Sequence, residues 1–140
     1  MGSNANQERV KRVIMASPPT ASVGGTASVW LAGIQNTTSN GYRPNQRAMK
    51  LVRTWISGNV TATGAGATVD AEFRDRGGSI INTVSLDRSV SGWQQDVDED
   101  PTAAIQPSDA STPGWFSVKL VGTGTGTATN VVVGWEVEFL

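Results

Sequence analysis

The segment VVVGWEVEF, residues 131–139, alternates large apolar side chains with small or acidic ones. The large apolar positions recur at every second residue and are Val131, Val133, Trp135, Val137 and Phe139. Successive side chains of a β-strand point to opposite faces, so this period of two predicts a strand. One of its faces is expected in the core, and the other, with Glu136 and Glu138, in water.

The same period recurs in the segments that precede this one. In residues 49–57 it places Leu51, Arg53 and Trp55 on one face and Val52, Thr54 and Ile56 on the other. Further alternating segments lie at residues 27–34, 69–74, 79–86 and 115–121. No long segment has the 3.6-residue period of a helix. About eight short strands with turns between them predict an all-β protein, an antiparallel β-sandwich of the jelly-roll kind.

Glycine-rich segments separate the predicted strands. Gly77 and Gly78 predict a hairpin turn, because glycine adopts positive φ angles without steric cost. Segments of Gly, Thr and Ala at residues 61–68 and 122–130 predict two wider turns. These turns fit the short connections of an antiparallel sandwich.

The first residues differ from the rest of the chain. They are polar and small apart from residues 13–15, and Pro18 and Pro19 cannot continue a helix or a central strand. We therefore expect an extended amino-terminal arm at residues 1–25 and a β-sandwich domain at residues 26–140. The length of the chain suits one core rather than two.

The composition excludes several classes of chemistry. Cysteine and histidine are both absent, so the chain has no thiolate and lacks the commonest general base and metal ligand. We expect a binding protein, with no enzyme activity and no cofactor. No apolar run approaches the ~20 residues of a membrane-spanning helix, and residues 1–7 do not resemble a signal peptide.

Charge is unevenly distributed along the chain although its net value is only −1. Residues 1–53 carry seven basic groups and one acidic group, and residues 54–140 carry four basic and eleven acidic groups. The small net charge argues against nucleic acid or an anionic membrane as the partner. The asymmetry allows the first part of one molecule to meet the second part of another, unless the charges mix in the folded sandwich.

Acidic residues offer two further hypotheses. Residues 96–100 place aspartates at alternate positions, as at the start of a calcium loop, but lack its glycine and its final glutamate, so a solvated loop is the simpler interpretation. The pairs Asp70 with Glu72 and Glu136 with Glu138 have the residue types of a glycosidase, and they equally suit the wet face of a strand. We assign no catalytic or metal-binding residue.

Tryptophans and basic residues are the candidate binding groups. Trp55, Trp115 and Trp135 lie in alternating strands, where burial in the core is expected, and Trp30 and Trp93 are freer to contact a partner. On the arm, Arg9, Lys11 and Arg12 are candidates for an acidic surface. The neighbouring apolar residues Val13 and Ile14 complete the set of predicted partner-binding residues.

The chain resembles the small decoration, or cement, proteins of tailed bacteriophage heads. The resemblance lies in the polar arm with residues 10–15, the Pro18-Pro19 join, the Gly/Thr/Ala turns and the apolar carboxyl-terminal strand. It implies a virion structural protein on the capsid surface, a homo-oligomer such as a trimer, and the major capsid protein or another virion subunit as partner. The alternative is a carbohydrate-binding or receptor-binding module of a phage fibre, with a glycan on Trp30 or Trp93.

Overall fold

The computed structural model describes residues 11–31, 49–75, 78–101 and 116–139. These ranges contain nine strands and no helix. The strands are β1 (Lys11–Ala16), β2 (Thr20–Gly24), β3 (Ser28–Trp30), β4 (Met49–Ala62), β5 (Thr68–Asp75), β6 (Ile80–Asp87), β7 (Gly92–Asp98), β8 (Phe116–Thr123) and β9 (Thr127–Phe139). The all-β prediction is confirmed.

Two antiparallel sheets pack face to face. Sheet A has the order β1-β9-β4-β7, with β2 also paired to β9 beyond the end of β1, and sheet B has the order β3-β8-β5-β6. If β1 and β2 are counted as one interrupted strand, each sheet has four strands, and consecutive strands alternate between the sheets except at the β5–β6 hairpin, as in two Greek keys. The prediction of a jelly-roll sandwich of about eight strands is therefore confirmed.

The core lies between the sheets and is centred on three aromatic rings. Trp135 of β9 packs edge-on against Phe73 of β5 and Phe116 of β8, with ring centroids 6.2 Å and 5.6 Å away. Trp135 is only 1% exposed, so truncating it to alanine would cost about 3–5 kcal/mol. The alternation of residues 131–139 thus places its apolar face in the core, as the sequence predicts.

Arg88 joins the turns at one end of the sandwich. Its guanidinium is fully buried and donates hydrogen bonds to the carbonyl oxygens of Gly25 (2.7 Å), Gly126 (2.8 Å) and Thr123 (3.0 Å). Its own carbonyl accepts a hydrogen bond from Gly64. Burial lowers the pKa of Arg88, while the charge of Asp70 raises it. One side chain therefore connects the β2–β3 and β8–β9 turns, and its backbone adds the β4–β5 turn.

Part of the predicted arm belongs to the sandwich. Residues 11–16 and 20–24 form β1 and β2, which pair with β9 along one edge of sheet A. Backbone pairing therefore gives residues 11–24 a place in the sheet that side-chain pattern alone does not reveal. Residues 1–10 lie outside the described residues, so an arm there stays a prediction.

A β-bulge changes the predicted faces of β4. The register against β9 shifts between Leu51 and Arg53. The extra residue exchanges the two faces of the strand beyond this point, so side chains expected on one face lie on the other. Leu51 and Thr54 point into the core, whereas Arg53 and Trp55 point outward. The prediction that Leu51 shares a face with Trp55 is wrong for this reason.

Strands β5 and β6 form a hairpin, which confirms the turn predicted from the glycine pair at residues 77–78. The amide of Gly78 donates to the carbonyl of Asp75 at 3.0 Å, and the φ angle of Gly78 is +89°. Trp115, for which burial in the core is expected, lies outside the described residues. Within the described ranges, no helix is long and apolar enough to cross a membrane.

Candidate partner-binding surface

Strand β7 has its polar face inward and its apolar face outward. Gln94, Asp96 and Asp98 are half-buried toward β6 of the other sheet, while Trp93 and Val97 are exposed. A strand at the edge of a sandwich ordinarily shows the reverse arrangement, with its apolar face on the core. The inward polar residues and the outward apolar residues of β7 therefore each need a structural explanation.

The inward face closes the gap between the two sheets. The amide of Ser85 donates to an Asp96 carboxylate oxygen at 2.9 Å, and the amide of Asp87 donates to the Gln94 side-chain oxygen at 3.0 Å. The Gln94 amide group returns a bond to the carbonyl of Asp87. Side chains of β7 thus occupy ladder positions of edge strand β6 that would otherwise attract another strand.

A series of hydrogen bonds between polar side chains extends from β7 into the core. The Thr54 hydroxyl donates to the Asn82 side-chain oxygen at 2.6 Å, and the Asn82 amide nitrogen donates to an Asp98 carboxylate oxygen at 2.8 Å. Asp96 and Asp98, which the sequence analysis considered for a calcium loop, therefore form hydrogen bonds within the sandwich. The inward polar residues of β7 have a structural explanation.

The outward face of β7 has no such explanation within the described residues. Trp93 is 69% exposed and Val97 is 36% exposed. The register of β7 against β4 places Trp93 beside Asn59 and Val97 beside Trp55 on the outside of sheet A. We call this side, with Ile14, Trp55, Trp93, Val97 and Val132, the outer face of sheet A. Large aromatic area left in water is costly and often marks an interface.

Trp55 has a defined place on this face. Its indole lies against Gly134 of β9, so closely that a Cβ on Gly134 would overlap the ring. The Arg53 guanidinium carbon lies 5.0 Å from the ring centroid, within cation–π distance. The expectation that Trp55 lies in the core is wrong, because the β4 bulge turns it outward. An aromatic residue opposite a cross-strand glycine was the available sequence signal.

Two ion pairs lie on the outer face of sheet A. Arg12 lies 3.0 Å from Glu138, and Arg53 lies 3.9 Å from Glu136. Exposed pairs of this kind contribute roughly 0–1 kcal/mol each to stability. Lys50, which is exposed and is a cross-strand partner of Glu138, adds a positive charge to this part of the face.

The predicted partner-binding residues divide between several positions. Ile14, 59% exposed, lies with Arg12 on β1 at one edge of the outer face of sheet A, and Trp93 lies on β7 at the opposite edge, whereas Val13 is partly buried against the core. Trp30 lies on the outside of sheet B. Lys11 pairs with Phe139 through the backbone, and Arg9 lies outside the described residues. Sequence reasoning identified Ile14 and Trp93 but missed Val97.

The outside of sheet B has a different character. The Lys119 ammonium lies 5.3 Å from the Trp30 ring centroid. Two carboxylates on this side accept hydrogen bonds, Asp70 from the Ser85 hydroxyl and Glu72 from Arg74. The carboxylates that the sequence analysis considered for glycoside hydrolysis therefore have partners on the wet face of a strand.

Comparisons with known proteins place the fold. No protein-family model matches the chain, and no curated protein matches it. A chain in the structure of infectious bursal disease virus Gx strain is similar, with a TM-score of 0.52 and 9% identity over 94% of this chain and 32% of that chain. This protein thus spans about a third of that viral chain.

Two further viral structures are similar at lower TM-scores. Turnip yellow mosaic virus at 100 K gives a TM-score of 0.49 and 13% identity, with 94% of this chain and 92% of that chain covered. The cyanophage Pam1 capsid asymmetric unit gives 0.45 and 12%, with 94% and 86% covered. At 9% identity, the likeness to the infectious bursal disease virus chain shows the fold alone.

Proposed function

We propose that this protein is a virion structural protein that docks on the surface of a phage head in a decoration or cement role. Its partner is the major capsid protein or a neighbouring virion subunit, and its location is the capsid surface. The fold likeness to a chain of infectious bursal disease virus supports a role in a virus particle. The resemblance to phage decoration proteins supports the docking role.

The observation that carries the proposal is the outer face of sheet A. Trp93 and Val97 project from a strand whose opposite face is occupied by structural hydrogen bonds. Standard interfaces cover roughly 800 Å² on each partner and derive most of their energy from a few buried aromatic residues. Trp93, the most exposed large apolar side chain among the described residues, is the proposed hot spot of such an interface, with the neutral side chains Ser57, Asn59 and Gln95 beside it.

An oligomer and an arm complete the proposal. A trimer presents three copies of the outer face of sheet A to a shell, so that the second and third contacts form at a high effective concentration. Residues 1–10, with Arg9, precede β1 in the sequence and are proposed to contact the adjoining subunit. Each copy then binds by a folded face and by an extended segment.

The test is co-sedimentation with heads of the encoding virus that lack this protein. Trp93→Ala is expected to weaken binding about 30-fold, the effect of losing a hot spot of about 2 kcal/mol. The matched control is Trp30→Ala, the same substitution on sheet B, with an expected change below roughly threefold by the same reasoning. Equal effects of the two substitutions would exclude the outer face of sheet A, and a wild-type protein that does not bind heads would exclude the function.

A second function, glycan binding on a phage fibre, is favoured by the surroundings of Trp93. Its exposed ring is flanked by the amides of Asn59, its cross-strand partner, and Gln95 on the same face. Sugars stack on aromatic rings while amides bond their hydroxyl groups. A glycan array distinguishes the two functions: binding that Trp93→Ala and Gln95→Ala abolish, in a folded protein, would support the glycan-binding module.

A further inference from the structure

Strand β1 is weakly attached to the rest of the molecule. Among the described strands it pairs only with β9. From residue 12 to residue 16, only Val13 is partly buried, and the other four side chains are exposed. Strands that bury little apolar surface open far more often than the whole domain unfolds. β1 can therefore leave the sheet while the sandwich stays folded.

The connection between β1 and β2 allows β1 to open without disturbing β2. Ser17 is buried, and its amide and hydroxyl bond to Val133 of β9 at 2.7 Å and 3.1 Å. Pro18 and Pro19 are exposed and have no amide hydrogen to give to the ladder. β1 ends at the pair Ala16↔Gly134, and β2 begins at Thr20↔Val131, so an extra residue lies between them. The pairs of β2 do not depend on those of β1.

The position that β1 would leave is specific for a strand like β1. It consists of the free backbone edge of residues 134–139, with the core residues Trp135 and Val137 beneath it and Glu138 at the outside. A strand that fills it must offer Val13 inward and Arg12 next to Glu138. The same strand of a second copy meets each of these requirements by identity.

We propose that β1 is exchanged between copies of this chain, so that Lys11–Ala16 of one copy completes sheet A of another. The exchanged contacts are those of the single chain, and the hinge is Ser17-Pro18-Pro19. Exchange of identical elements is a route to oligomers that needs no new interface. The inference goes beyond the proposed function and does not depend on it, because it concerns only contacts between copies.

The absence of cysteine in the sequence makes the exchange directly measurable. Arg12→Cys and Glu138→Cys are prepared as separate proteins, mixed under reducing conditions at high concentration, and then oxidised gently. Residues 12 and 138 are direct cross-strand partners, and such pairs have the Cα separation of a disulfide. A covalent dimer with one copy of each variant is expected in at least tenfold excess over the two homodimers.

The matched control uses the same cysteine from the other side of β9. Lys50 of interior strand β4 is also a direct partner of Glu138, and β4 cannot leave without unfolding the sandwich. Mixed Lys50→Cys and Glu138→Cys are therefore expected to give only the background of random collisions. Chains that carry both cysteines of a pair provide the reference for complete crosslinking and for the folded state.

The yields of the two mixtures decide the inference. A mixed dimer from Arg12→Cys and Glu138→Cys, without one from the Lys50→Cys mixture, supports exchange of β1. Equal yields from the two mixtures, whether high or low, would overturn it. Binding to virus heads is measured separately, so a protein that exchanges β1 but does not bind heads would overturn only the proposed function.

Discussion

Replacing Arg88 by methionine removes the guanidinium that joins the β2–β3 and β8–β9 turns at one end of the sandwich. Three hydrogen bonds from the buried guanidinium, to Gly25, Gly126 and Thr123, are 3.0 Å or shorter. Bonds to a charged group contribute about 1.5–3 kcal/mol each, so the gross loss is about 5–9 kcal/mol. Burying the cation costs several kcal/mol, and methionine does not carry that cost.

The net loss expected for Arg88→Met is about 3–5 kcal/mol, because the three carbonyl oxygens keep their buried positions and lose their donor. In a domain of this size that loss lowers Tm by roughly 10–15 °C. Urea unfolding followed by tryptophan fluorescence measures the free energy of unfolding from the midpoint and the slope. Thermal unfolding by circular dichroism provides the independent value of Tm.

Arg74→Met is the matched control for this experiment. Arg74 forms an ion pair with Glu72 on the outside of sheet B, where its side chain is 26% exposed. We expect a loss below about 1 kcal/mol, as is usual for pairs near the surface. If Arg88→Met also stays within about 1 kcal/mol of the wild type, the buried hydrogen bonds do not hold the turns together and the reasoning is refuted.

Two further predictions concern sheet A and the β6–β7 turn. Gly134→Val displaces Trp55 from the strand it covers and is expected to lower the free energy of unfolding by about 1–3 kcal/mol. In a Trp55→Ala background this loss should nearly vanish. An equal loss in both backgrounds would contradict the contact between Trp55 and Gly134. The pKa of Asp87 is lowered by hydrogen bonds from the hydroxyl and amide of Ser89. The resulting stability is present above the ordinary pKa of 3.8 and is lost as pH falls through the lower folded value. Asp87→Asn should therefore lose less stability than the wild type on acidification below pH 4, and an unchanged acid dependence in urea unfolding would count against this.

The candidate surface was only partly visible in the sequence. The sequence predicts Ile14 as a binding candidate because it is an apolar neighbour of the basic residues of the arm, and Trp93 because it is freer than the tryptophans of the clearest strands. Val97 was missed since its neighbours Asp96 and Asp98 suggested a wet loop. Those aspartates face the gap between the sheets and bond to β6, a role that requires a strand from the other sheet and is therefore not encoded in local pattern.

By itself, the sequence determined the strand segments of β3–β6, β8 and β9, and in β9 which residues share a face. Period-two alternation established this for residues 131–139 and placed Trp135 in the core, because the geometry of a strand is local. Only the tertiary structure decided which face of β7 points inward, that β1 and β2 join sheet A, and that Trp55 points outward. A strand has two equivalent sides until neighbouring strands cover one of them, and a single inserted residue, as in β4, exchanges the two.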